Sequence, residues 1–156
     1  AVNYVFFAST ATTASVWTLL NDVTSINNFA TLLEGLARPG SIGSNTDIDD
    51  GMLSSLASFA DTTYTATRNV MDVSGDGTQN EAGDPRDVRD AAALQGIVIN
   101  GLPIGGGGLD TYYANNIITA GGFVESAAGF ADFTDAINRK LFRELGGDIP
   151  EPSTYA

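Results

Sequence analysis

Three oxygen-bearing side chains alternate in the stretch MDVSGDGTQNEAGD, residues 71–84: Asp72, Ser74 and Asp76, with Asp84 closing the polar loop behind them. Carboxylate and hydroxyl oxygens in this pattern suit a hard divalent cation, or a carboxylate pair whose environments split acid and base roles. A second stretch, NTDIDDG at residues 45–51, adds the Thr46 hydroxyl and the carboxylates of Asp47, Asp49 and Asp50. Acidic residues also suit the first turn of a helix, so capping is the competing reading there. The chain has no His and no Cys, which removes thiol nucleophiles, His-based triads and zinc sites built on sulfur or imidazole. Any metal must be calcium, magnesium or manganese on oxygen ligands.

An EF-hand loop would use Asp72, Ser74 and Asp76 as first, third and fifth ligands with Gly77 at the turn. Its twelfth position is Gly83, where a bidentate Glu is needed, and TRNVM before it reads as strand. Hydrolysis by two carboxylates meets a similar obstacle. Asp72 and Asp76 on one extended strand lie about 13 Å apart at about 3.3 Å per residue, wide for a glycosidase pair. Asp76-Gly77 also suits a simple turn. GGGG at 105–108 lacks the Lys and Ser/Thr of a phosphate loop and reads as a flexible connection. TYY at 111–113 suits core packing, with an exposed aromatic patch as the alternative.

The elements that must position these groups follow from periodicity. AVNYVFFAS and TTASVWTLL read as an antiparallel pair, with strands near 2–8 and 15–20. Asp22 caps a helix to about Gly35, with Val23, Ile26, Phe29, Ala30 and Leu33 at helical spacing. A second helix runs from about Asp47 to Ala60. TRNVMDVS gives a strand near 67–74, and DPRDVRDAAALQ a helix with Asp84 as cap and Pro85 in its first turn. GIVINGLPI, near 96–102, is apolar throughout, as a strand buried on both faces must be. A short helix LDTYYANNI, a strand near 121–125 and a last helix FADFTDAINRKLFREL complete the order. Helices alternating with strands predict a doubly wound, mostly parallel α/β sheet, with ligands at the carboxyl ends of its strands.

At 156 residues and 43% hydrophobic content, one domain with a real core is expected. A net charge of −12 disfavours nucleic acid and anionic membrane, because phosphate contacts need Lys and Arg. No apolar run of about 18 residues is present, so no membrane span is predicted. The amino end reads as strand rather than signal peptide, and as trimmed.

The pieces AVNYVFFAS, SVWTLL, Thr46-Asp47, MDVSGDGTQN, RDAAALQGIVINGLPI, YYANNIITAGGFVESA and FADFTDAINRKLFREL, in this order, resemble the von Willebrand factor type A fold, and more closely a secreted bacterial group with that fold. The ending IPEPSTYA resembles the start of a PEP-CTERM sorting signal, which implies export and processing at the cell surface. The resemblance divides the chain into a domain at 1–147, incomplete at its amino end, and an extended tail at 148–156. It also implies a metal-ion-dependent adhesion site for Ca²⁺ or Mg²⁺, with Thr46 and Asp76 as matching ligands and Ser74 and Asp47 as candidate neighbours. The family's Asp-x-Ser-x-Ser loop, which follows its central first strand, has no counterpart here.

That departure implies a gap between the strands at 1–8 and 67–74. Unpaired groups along buried strand edges cost about 1 to 3 kcal/mol each, so a strand from a separated amino-terminal piece or a neighbouring subunit is expected to fill it. The expected function is a secreted, non-enzymatic adhesion or self-assembly protein, filament-forming by strand donation, with homo-oligomer or filament neighbours and an extracellular protein or polysaccharide ligand as partners. The alternatives are a metal-dependent hydrolase and a monomeric metal-dependent ligand-binding module.

Overall fold

The computed structural model describes residues 1–146. Its centre is strand β4, Ile97–Pro103, where all but Val98 are buried. Strand β3, Asn69–Gly75, runs parallel to it with Asn69 opposite Ile97 and Gly75 opposite Pro103. On its other edge β4 meets an extended segment through the parallel bridges Gly101 to Val124 and Ile104 to Ala127. The strand expected at 121–125 is therefore reduced to isolated bridges. Gly121 and Gly122 weaken regular pairing there, and a Cβ at Gly122 would collide with the carbonyl oxygen of Ile99.

Helices cover both faces of this sheet, as a doubly wound fold requires. Alternation along β3 turns Met71 and Val73 to one face, where they pack with Ile48, Met52 and Leu56 of α2 (Ile48–Asp61), Val88 and Ala92 of α3 (Pro85–Leu94), and Tyr113 of α4 (Leu109–Asn116). The opposite face carries Leu102 and Ile104 against Ala127 and against Ala136 of α5 (Phe133–Glu144). The expected three-layer arrangement is present.

A separate hairpin joins β1, Val5–Phe7, to β2, Ala11–Thr13. The partner strand was expected at 15–20. The chain turns sooner, at Ala8–Thr10, and the only pairing within 15–20 among the described residues is the bridge from Val2 to Thr18. The hairpin rests on α2, where Gly51 leaves room for the Phe7 ring.

The capping residues behave as their chemistry predicts. Asp22 accepts from Ser25 N at 2.7 Å in a capping box that opens α1, Val23–Gly35. Asp84 caps α3 and accepts from Arg86 N at 3.0 Å, and the Arg86 guanidinium holds its carboxyl down at about 2. Helix α1 is the outlier in packing: none of its residues is buried, and Val23 is 71% exposed. The tail expected at 148–156 lies outside the described residues.

Candidate functional site: a groove between two sheet edges

Among the described residues the strands form two separate pairs, β1 with β2 and β3 with β4. One edge of β1 and one edge of β3 are therefore unpaired. Between them runs a groove of about 490 Å³, lined by every residue from Tyr4 to Ala8 and by Ser74, Gly75 and Asp76. Consecutive residues of a strand can line a groove together only along its edge, since successive side chains point to opposite faces.

Hydrogen bonds show which backbone groups face that space. Tyr4 O accepts from Ala14 N at 2.8 Å and Ala8 N donates to Thr10 O at 3.0 Å, so these residues point toward β2. Alternation then turns the N–H and C=O of Val5 and Phe7 the other way. On β3, Gly75 O accepts from Ile104 N at 2.9 Å, which leaves Asp72 and Ser74 to present their backbone groups to the open edge.

Three of the four candidate oxygen ligands meet along this groove. Thr46, Ser74 and Asp76 all line it, together with Asn45 and Ser44. Asp47 does not. It caps α2 instead, its Oδ1 accepting from Asp50 N at 3.1 Å and Gln79 Nε2 at 2.8 Å. Asp72, on the same face of β3 as Ser74 but one pleat further from the groove, is drawn instead to α5, where its carboxylate meets buried Lys140.

Two amides missed in the sequence hold this arrangement. Asn80 Oδ1 accepts from Thr46 N at 2.7 Å while Asn80 N donates to Thr46 O at 2.9 Å, a reciprocal clamp on the Thr46 backbone. Gln79 Oε1 accepts from Asp49 N at 3.1 Å, and its own N–H donates to the Tyr112 hydroxyl at 3.2 Å. Their signal was the placement of two side-chain amides right after an Asp-Gly turn, where they can donate and accept at once. Gly77 permits the approach: a Cβ there would come within 2.7 Å of Thr46 Oγ1. The acidic residues behind the site feel one another, since burial first and Asp47 and Asp50 next raise the carboxyl of Asp49.

Tyr113 lies in the core behind Gly75. It is fully buried, and its hydroxyl has no hydrogen-bond partner among the described residues, although buried polar groups nearly always find one. A Cβ on Gly75 would lie 2.8 Å from that hydroxyl and 3.5 Å from the Phe7 ring. Burial raises the Tyr113 pKa, with Tyr112 and Asp76 adding to the rise. The groove wall carries the rings of Tyr4, Phe6, Phe7, Phe130 and Phe133, with Ile104 and Arg38 beside them.

Thr46, Ser74 and Asp76 supply one carboxylate and two hydroxyls, oxygen chemistry that suits a hard cation but too few donors for a closed site, and the cationic Arg38 lines the same groove. No cluster of three or more acidic side chains able to hold a metal occurs among the described residues. Thr46, Ser74 and Asp76 offer three oxygen-bearing side chains, short of the about six to eight oxygens that a calcium ion takes.

Two crystal forms of proximal thread matrix protein 1 from the mussel byssus have a similar fold, with TM-scores of 0.67 and 0.65 at 17% identity. The match covers 92% and 91% of this chain, which spans only 36% and 34% of the mussel protein. The conserved hypothetical protein BatB from Bacteroides thetaiotaomicron aligns over 93% of this chain and 79% of its own, with a TM-score of 0.61 and 17% identity. No curated protein matches the chain. At these identities the likeness is one of fold, and that fold is von Willebrand factor type A-like. The family described as "Protein of unknown function (DUF1194)" matches residues 1–149, and the chain belongs to that family.

Proposed function

We propose that this domain is a non-enzymatic adhesion or assembly module of the cell surface or extracellular matrix, working by taking an apolar β-strand into the groove between β1 and β3. One observation carries the reading: two unpaired strand edges bound a single groove with aromatic walls. An entering strand would pair with the backbone of Val5 and Phe7 on one side and Asp72 and Ser74 on the other, and would bury the aromatic wall. Strand addition draws affinity from such main-chain bonds and specificity from the pockets for alternate side chains.

A neighbouring copy or a filament partner is the strand source favoured by this reading, because donation between copies need not close on itself. A Ca²⁺ or Mg²⁺ ion would be held by Asp76, Thr46 and Ser74, with further oxygens from the incoming strand or its loop. Such an ion would supply charge for binding acidic or carbonyl oxygens of a partner. The net charge of −12 and the fold shared with a mussel byssus matrix protein support an extracellular setting. A hydrolytic role finds little support in the groove, where Asp76 is the only carboxylate.

The test is sedimentation of the full chain beside a Val5→Pro variant. Proline removes an N–H from the open edge while leaving the β1–β2 bonds alone. The expected result is association of the unaltered chain, weakened by chelator, and a monomeric variant. An unaltered chain that stays monomeric with no second strand bound overturns the proposal.

A further inference from the structure

At the far end of the hairpin from the carboxyl ends of β3 and β4, a second groove of about 410 Å³ lies between Trp17 and the turn that follows α2. Its chemistry is different from that of the strand groove. Trp17 is fixed at two points: its indole N–H donates to Ser58 O at 2.9 Å, and its ring packs on Phe59 with centroids 5.3 Å apart. Tyr64, 40% exposed, adds a second ring to the wall. Around them stand Asp61, Thr13 and Thr63, whose side chains make no hydrogen bond among the described residues, and Asn3, whose Oδ1 is engaged while its amide N–H groups are free.

We infer that this groove binds a neutral or amino sugar of a polysaccharide. A sugar ring has apolar C–H faces that suit a rigid aromatic wall and hydroxyl edges that suit unpaired carboxylate, amide and hydroxyl groups. The volume falls in the range of small-ligand clefts, about 300 to 1,000 Å³. No Lys or Arg lines the groove, and the chain carries a net charge of −12, so phosphorylated, sulfated or uronic sugars are repelled. Asp61 can accept from two hydroxyls of one ring, or from an amino group. The site gives the adhesion module a polysaccharide contact at a place separate from the strand groove, so either assignment can fail alone.

Trp17 is the only tryptophan in the chain, which makes its fluorescence a direct reporter of the groove. Titration of the full chain with cello-oligosaccharides and chito-oligosaccharides is expected to give a saturable change in its emission. Tyr64→Ala and Asp61→Asn should each weaken that binding about tenfold, the size of one lost aromatic or charge-assisted contact. Val5→Pro, in the other groove, should leave it unchanged. No emission change with either series overturns the assignment, as does a change that persists undiminished in both groove variants. Circular dichroism spectra that match across the variants establish that the effect is not unfolding.

Discussion

Lys140 of α5 lies against the carboxylate of Asp72 on β3, and its ammonium is completely buried. Glu144, one turn along the same helix, takes a second bond from it at 2.6 Å, and Asn100 Nδ2 donates to the same Glu144 oxygen at 2.8 Å. The cluster ties the last helix to both parallel strands, beneath the Phe123 ring that the Arg143 guanidinium also covers. A buried cation with two acidic partners is costly to dissect, because removing one member strands the others without compensation.

Lys140→Met should therefore cost about 3 kcal/mol, the low end for breaking a buried pair, since Asp72 keeps part of its surface in solvent. Urea unfolding monitored by circular dichroism gives the value. A loss below about 0.5 kcal/mol, typical of a surface position, would show that the cluster is not structural.

The same cluster predicts a pH dependence. Burial pushes the Asp72 carboxyl up to about 6 from its ordinary 3.8, against the pull of Lys140 and with help from Glu144. A carboxyl raised on folding favours the folded state in its protonated form. That contribution is present below 3.8 and disappears as pH climbs toward about 6. Melting curves between pH 4 and 6.5 should show Asp72→Asn gaining on the unaltered chain as pH rises. A constant difference across the window would mean that Asp72 titrates normally.

Gly51 offers a test of how the hairpin is seated. Alanine in a helix interior normally gains up to about 1 kcal/mol over glycine. Here a Cβ would sit 2.7 to 2.9 Å from the near atoms of the Phe7 side chain, which cannot swing away without moving β1. Overpacking costs about 1 to 3 kcal/mol, so Gly51→Ala should be a net loss of about 1 kcal/mol. Increased amide exchange in Val5–Phe7 would accompany it, and a stabilised variant would contradict the packing.

Calcium should bind the chain alone weakly, with Kd about millimolar, because one carboxylate and two hydroxyls leave most of the shell to water. Calorimetric titration is expected to show the signal lost in Asp76→Ala and reduced in Thr46→Val, with assembled protein binding more tightly than monomer. Retention of full affinity in Asp76→Ala would remove this residue from the metal role.

Helices α1, α2 and α3 could be read almost to the residue, because Asp22, Asp47 and Asp84 each satisfy backbone N–H groups a few positions away and Pro85 can only open a helix. The strand Ile97–Pro103 was equally legible: an unbroken apolar run needs burial on both faces. These are local signals, decided within a few residues. Where two local demands compete, the tertiary structure chose. The hairpin turned at Ala8–Thr10 rather than later, and Asp47 stayed a cap while Thr46, its neighbour, reached the groove.

The candidate site itself depends on distance in space. That Thr46 would stand beside Asp76 was available only through resemblance, and the clamp that holds it there joins Asn80 to Thr46 across 34 positions. Lys140 on an apparently amphipathic helix gave no sign that it would be fully buried, since its partner Asp72 lies 68 positions away. Residue types and spacing determined which oxygens were available and which segments would be helix or strand. The meeting of those oxygens at a groove between two unpaired edges was decided by packing, because contacts across long loops depend on how whole elements stack and not on any neighbour in the chain.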